Sequence, residues 1–257
     1  MKAEIVVVTN QKGGVGKSTT AEALAEGLFI GGYKTLLIDL DAQGSISLSA
    51  KAEINRPSAY DLLLYEKINA HDVTQHRTRR ADIIPAGRNL LKMDIELSSA
   101  KSKEYRLKEK IAPLISQYDY IIIDTPPALG ILTVNALTAA NSLIIPAQAD
   151  LYSLQGIGQL YDTIGAVTTY TNPDLTLKGI LLTRHNARNI LSRDMADIAK
   201  NTAAQIGTFV YEGVIRECIA IREAQASQQT IYEYAPKSNA SQDYLYFVNE
   251  FIRRKKS

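Results

Sequence analysis

The amino-acid sequence predicts an α/β fold built on a mostly parallel sheet with helices on both faces. Three observations predict it. Short apolar runs alternate with longer segments of helical spacing along the 257 residues. The apolar runs are near-continuous, as strands buried on both sides must be. A glycine-rich turn, Gly13-Gly14-Val15-Gly16, joins the first apolar run to the first helical segment. Such alternation gives a parallel sheet layered between helices.

The elements follow in order. Residues 5–9 form a buried-strand run, and residues 18–30 a helix stopped by Gly31-Gly32. Residues 35–38 form a second strand ending at Asp39. The stretch 51–80 is polar, with a helical island at 59–65. Residues 81–85 are a short strand and 104–117 a helix. A third strong strand covers 120–123 and ends at Asp124. A fourth covers 142–145 and ends at Pro146. A helix over 154–170, a strand over 177–183, and helices over 192–206 and 240–254 complete the pattern. No stretch reads as a linker, so one domain over residues 1–257 is expected. Ligands of such sheets sit beyond the carboxyl ends of the strands, which sets Asn10, Asp39, Asp41 and Asp124 on one rim.

Composition narrows the function. Apolar residues make up 46% and charged residues 22%, ordinary for a soluble globular chain. The formal net charge of +2 excludes a general basic field, so any DNA contact must come from a local patch. The single cysteine, Cys218, excludes an intramolecular disulfide and a cysteine-rich metal cluster within one chain. The histidines His71, His76 and His185 lack ligand spacing. No apolar run approaches membrane-spanning length, and the run at 5–8 is too short for a signal-peptide core. The expected location is cytoplasmic.

Residues 10–19 lie between a strand and a helix, the context a phosphate-binding loop needs. Glycines 13, 14 and 16 let successive backbone N–H groups turn inward, and the positive end of the following helix reinforces that cradle. Lys17 supplies a point charge for the β- and γ-phosphates. The Ser18 hydroxyl suits Mg²⁺, a hard ion that prefers oxygen. The chemistry implied is nucleoside-triphosphate binding and hydrolysis, with ATP and Mg²⁺. The expected nucleotide contacts are Lys12, Gly13, Gly14, Val15, Gly16, Lys17, Ser18 and Thr19.

The loop departs from the common G-x-x-x-x-G-K-[ST] pattern, because Gln11 stands where the first glycine belongs and Lys12 follows it. Lys-Gly-Gly-Val-Gly-Lys-Ser resembles the deviant Walker A loop of the ParA/MinD class of ATPases. The resemblance implies that Lys12 reaches the phosphates of a partner subunit in an ATP-sandwiched homodimer. Residues 36–44, with Asp39 and Asp41, resemble the second acidic motif of that class. By resemblance Asp41 positions or polarises the attacking water and Asp39 supports the Mg²⁺ and switch region. Residues 120–127 resemble a Walker B strand, whose Asp124 would hold Mg²⁺ through water. Thr125-Pro126-Pro127 then stiffens a loop where a γ-phosphate sensor would lie. The expected catalytic set is Lys12, Lys17 and Asp41, and the metal set is Ser18, Asp39 and Asp124.

Residues 143–148, 154–156, 181–188, 221–224, 234–238 and 243–244 resemble the partition branch, ParA/Soj, in its small type without an N-terminal winged-helix extension. The resemblance implies slow, partner-stimulated ATP hydrolysis, nonspecific DNA binding by the ATP dimer, and a ParB-like adaptor. It also implies segregation or positioning of a plasmid, chromosome or mobile element on the nucleoid of a prokaryote. Arg188, Arg193, Arg216 and Arg222 are the candidate phosphate-backbone contacts. The usual Pro-Arg-Asn-Val-Arg-Leu stretch is replaced here by residues 215–220, with Ala220 at an expected arginine. Asn186, Ile215 and Arg216 are alternatively expected to line the adenine pocket. A MinD-like membrane-cycling ATPase is the rival reading, because residues 244–251 are apolar at helical spacing and a basic run follows. A buried helical stripe favours a core helix there.

Overall fold

The computed structural model describes residues 2–53, 55–186 and 190–255. Six strands form one sheet: β1 (Glu4–Val8), β2 (Thr35–Asp39), β3 (Asp82–Ile84), β4 (Tyr120–Asp124), β5 (Ser142–Gln148) and β6 (Thr176–Thr183). Their order is β3-β2-β4-β1-β5-β6, and every neighbouring pair is parallel. The helices run α1 (Lys17–Ile30), α2 (Ser45–Ser49), α3 (Ala59–Leu64), α4 (Ala70–Val73), α5 (Met93–Glu96) and α6 (Arg106–Ile111). They continue as α7 (Ile131–Ala139), α8 (Leu151–Tyr170), α9 (Ile190–Gln205), α10 (Ile219–Ala226), α11 (Ile231–Tyr234) and α12 (Asn239–Lys255).

The continuous apolar runs have a direct cause. Val6, Val8, Leu37, Ile122 and Ile144 point to the face covered by α1, α10, α11 and α12. Ile5, Val7, Leu36, Ile38, Ile121 and Ile123 point to the opposite face, covered by the remaining larger helices. Successive strand residues face opposite sides, so a sheet buried twice needs apolar residues at every position.

Two boundaries and one whole helix stand out as departures from the sequence reading. Residues 104–117 are not one helix. A 3₁₀ turn at Lys103–Tyr105 leads into α6, and another at Ala112–Leu114 follows it. Pro113 is the cause, since it lacks an N–H and its ring crowds the carbonyl four residues back. The fourth strand does not end at Pro146 but runs to Gln148. The Ile144 carbonyl accepts from Thr9 N–H, so Ile144 faces β1. Pro146, two residues on, faces the same side, beyond the end of β1. There its missing N–H is not needed, and its carbonyl accepts from Asn10 Nδ2 at 2.7 Å. Helix α7 was absent from the sequence reading because it is buried nearly all round and carries no amphipathic stripe.

Helix α12 is a core helix. Tyr244, Phe247 and Phe251 are buried against α1 and the sheet, and the buried Glu250 accepts from the Glu212 and Gly213 N–H groups. No helix among the described residues is long and apolar enough to cross a membrane. Truncating Phe251 to Ala is expected to cost about 3–5 kcal/mol of unfolding free energy, read from urea titration. A loss below about 1 kcal/mol would contradict a core role.

Candidate nucleotide-binding site

The parallel register levels the functional strand ends. Val8 pairs with Asp124, and Asp124 with Asp39, so the phosphate loop and two aspartates leave the sheet side by side. The loop turns between β1 and α1 by two left-handed glycines, Gly14 at φ 75° and Gly16 at φ 83°. Residues with a Cβ rarely adopt that conformation. Thr20 N–H makes the first bond of α1, to the Gly16 carbonyl. The preceding N–H groups of Lys17, Ser18 and Thr19 therefore lie free of the helix ladder, at its positive end. Space above Gly13 and Gly14 is open. That is an anion cradle.

Two lysines serve it differently. Lys17 is buried, and its ammonium donates to the Lys12 carbonyl at 2.9 Å. Burial lowers its pKa, while the charges of Asp124 and Asp41 oppose the shift. Lys12 stands at the rim and pairs with both carboxylate oxygens of Asp150, at 2.8 and 2.7 Å.

The aspartates have contrasting surroundings. Asp39 is fully buried and accepts from Ser47 N–H, Ser47 Oγ and Asp41 N–H, at 3.0, 2.7 and 3.1 Å. Burial raises its carboxyl to about 6 despite those bonds. Its geometry suits organising the Asp41 loop and α2. Asp124 is equally buried, and among the described residues neither of its oxygens has a well-formed hydrogen bond, although the Ser18 hydroxyl lies close by. Burial pushes its carboxyl well above the ordinary range and the Asp39 charge adds to this, while the nearby Ser18 hydroxyl and Lys17 ammonium pull the other way. A buried carboxylate with no well-formed hydrogen bond among the described residues, beside a hydroxyl at the foot of a phosphate cradle, fits a hard divalent cation. Asp41 sits at the cavity wall, and its Oδ1 accepts from Gln43 N–H at 3.0 Å.

Above the loop opens a cavity of about 320 Å³. Gly13, Gly14, Gly16, Lys17, Ser18, Thr19 and Asp41 line one side. Ile215, Arg216 and Arg222 line the other, so two of the three expected adenine-pocket residues meet the loop there. Asn186 does not. It lines a neighbouring depression with Gln148, Asp150, Arg184, Ser192 and Glu217. Of the candidate DNA contacts, Arg216 and Arg222 both line the cavity above the loop. Arg216 is gripped by Asp243, with Nε and Nη2 donating at 2.9 and 2.6 Å. Arg222 is exposed beside Glu217, Arg193 is exposed on α9, and Arg188 lies outside the described residues.

Several supporting residues escaped the sequence reading. Gln148 Nε2 donates to the Gly14 carbonyl, and Thr183 Oγ1 to the Val15 carbonyl. Asp150 caps α8 by accepting from Ser153 N–H. Gln148 and Thr183 fall in the stretches 143–148 and 181–188 that resemble the partition branch but carry no sign of these bonds, whereas Asp150 leaves a local trace, as an Asp-x-x-Ser cap before a helical run.

Comparison with known proteins agrees with this geometry. An AAA domain family model matches residues 3–177. The sporulation initiation inhibitor protein Soj of Bacillus subtilis is 38% identical over 251 residues, covering 96% of this chain and 97% of that protein. The chromosome partitioning protein ParA of Myxococcus xanthus is 37% identical, covering 97% of this chain and 88% of that protein. The chain belongs to the ParA/Soj family. Among solved structures, the cobyrinic acid a,c-diamide synthase of Mycobacterium smegmatis with bound ADP and magnesium shares the fold. It has a TM-score of 0.85 and 31% identity, and the match covers 99% of this chain and 96% of that one.

In this ParA/Soj-family chain, α2 is fastened to the loop helix through Glu22, which accepts from Ser49 Oγ. Burial raises the Glu22 carboxyl to about 7 from 4.5, with the Ser49 bond opposing and Glu26 adding. Folding therefore takes up a proton between these two values, and stability falls as pH rises through that window. Glu22→Gln needs no proton and should flatten the loss, by on the order of 2–3 kcal/mol between pH 4.5 and 8. Urea midpoints across that range read it, and identical pH slopes in both proteins would count against a neutral buried Glu22.

Proposed function

We propose that this ParA/Soj-family chain is an ATP-dependent dimerising switch, with residues 1–257 acting as one ATPase domain. What carries the reading is a complete phosphate cradle bearing two lysines, one turned inward and one at the open rim. ATP phosphates take the N–H groups of residues 13–19 and the Lys17 ammonium. Ser18 and Asp124 hold Mg²⁺, with Asp39 supporting the adjoining loop. Bound Mg²⁺ neutralises charge developing on the phosphate oxygens. Asp41, at the cavity wall, orients water for slow hydrolysis of ATP to ADP and phosphate. Ile215 and Arg216 line the adenine end, with Asn186 close by.

Lys12 acts across the interface of a homodimer, on the partner's phosphates. Closure forms a composite surface for nonspecific DNA, to which Arg188, Arg193, Arg216 and Arg222 contribute. A ParB-like adaptor stimulates hydrolysis and resets the switch. The use is segregation or positioning of a plasmid, chromosome or mobile element, in the cytoplasm and on the nucleoid. The partition reading is favoured over a synthase because the relatives named chromosome partitioning protein share 36–37% identity, against 31% for the synthase structure. It is favoured over membrane cycling because the apolar stripe of α12 is spent on the core.

Lys17→Ala removes the buried cation and is expected to weaken ATP binding by a factor of about 100 or more, read by calorimetry. Binding within a few-fold of the natural chain would contradict the site. DNA should co-sediment with the protein only with ATP, and the bound fraction should fall steeply as salt rises. Anionic liposomes should not co-sediment. Liposome binding without DNA binding would reverse the choice of partner.

A further inference from the structure

The end of β5 and the turn after it hold the phosphate loop at three points. Asn10 bridges the Pro146 carbonyl and the Lys12 N–H, at 2.7 and 3.0 Å. Gln148 reaches the Gly14 carbonyl. Asp150 grips the Lys12 ammonium with both oxygens, in a pair about one-third exposed. The first two contacts hold backbone. The third holds a charged side chain whose proposed work lies in another subunit. A partner's phosphates would compete with Asp150 for the Lys12 ammonium, whose donors are turned to both carboxylate oxygens.

We propose that Asp150 is a positioning residue that parks Lys12 in the separate subunit, so that closing two subunits breaks two Lys12–Asp150 pairs. The proposal rests on Lys12 acting across the dimer. The surroundings of Asp150 suit a reversible rest. When Lys12 leaves, the carboxylate keeps its bonds from Ser153 N–H and Ser153 Oγ, at 2.9 and 3.2 Å, and keeps capping α8. It is not stranded. Burial raises its pKa, but the hydrogen bonds from Lys12 and Ser153 outweigh this and hold it below the usual range, so it carries its charge at neutral pH. An ion pair about one-third exposed contributes a modest bias, which closure can overcome. Parking also keeps Lys12 off the phosphates of its own subunit, so the rim cation remains available to a second copy.

Asp150→Asn tests this in the full-length chain, because asparagine caps a helix as well as aspartate but carries no charge. The readout is the dimer dissociation constant by analytical ultracentrifugation with ATP and Mg²⁺. Losing the pair should tighten the dimer about threefold per subunit, hence about tenfold for the dimer. Ser153→Ala, which disturbs the cap contact and leaves the charge, should leave the constant within about twofold. If Asp150→Asn does not fold, Asp150→Ser caps without charge and carries the same expectation. An unchanged or weaker dimer in the charge-free variant overturns the parking role, as does an equal shift in Ser153→Ala. A natural chain that stays monomeric with ATP overturns the underlying dimer reading and the parking role together. A natural chain that dimerises, with a variant that dimerises no better, overturns the parking role alone.

Discussion

The level register of β1, β4 and β2 is the constraint on which the site depends. Val8, Asp124 and Asp39 end three adjacent parallel strands at one height. The loop after β1 therefore wraps directly over two carboxylates. Slipping one strand by a residue would exchange its side chains between two differently packed cores and swing its aspartate away from the cradle. The double burial of the sheet forbids that slip, so core packing and site geometry are enforced by the same residues.

Burial then divides the labour among the charges. Asp39 spends its oxygens on Ser47 and the Asp41 backbone, and so shapes the loop beside it. Asp124, with no well-formed hydrogen bond among the described residues and the Ser18 hydroxyl beside it, is left to bind something from outside. An uncompensated buried carboxylate is costly, and a cation with phosphate is the compensation the site is built to receive. Lys17 is held inside by the Lys12 carbonyl, close to those carboxylates, so the cradle is set before ligand arrives.

Much of this was legible in the sequence, for reasons specific to each element. The strands announced themselves because burial on both faces leaves no polar position. The loop announced itself because left-handed turns select Gly14 and Gly16. Asp39, Asp41 and Asp124 were marked by their places at strand ends. Elements without a local signature stayed hidden. Helix α7 is apolar on all sides, so no period marks it. Pro146 read as a stop because the sequence does not say that β1 ends before reaching it. The grip of Asp150 on Lys12 spans 138 residues and depends on the β5–α8 turn folding back over the loop. Asp243, which fixes Arg216, was hidden by the same kind of distance, 27 residues along the chain.

Long-range placement of Lys12 is therefore where the account is most exposed. A lysine at the rim serves its own subunit or its partner's, and mixed dimers tell these apart. Lys12→Ala and Asp41→Ala are each expected to be inactive alone. Mixed in equal amounts with ATP and Mg²⁺, they should recover about a quarter of natural turnover, because half of the random pairs are mixed and each of these holds one complete site. A mixture as inactive as its components, under conditions where both variants pair, would contradict a shared two-subunit site.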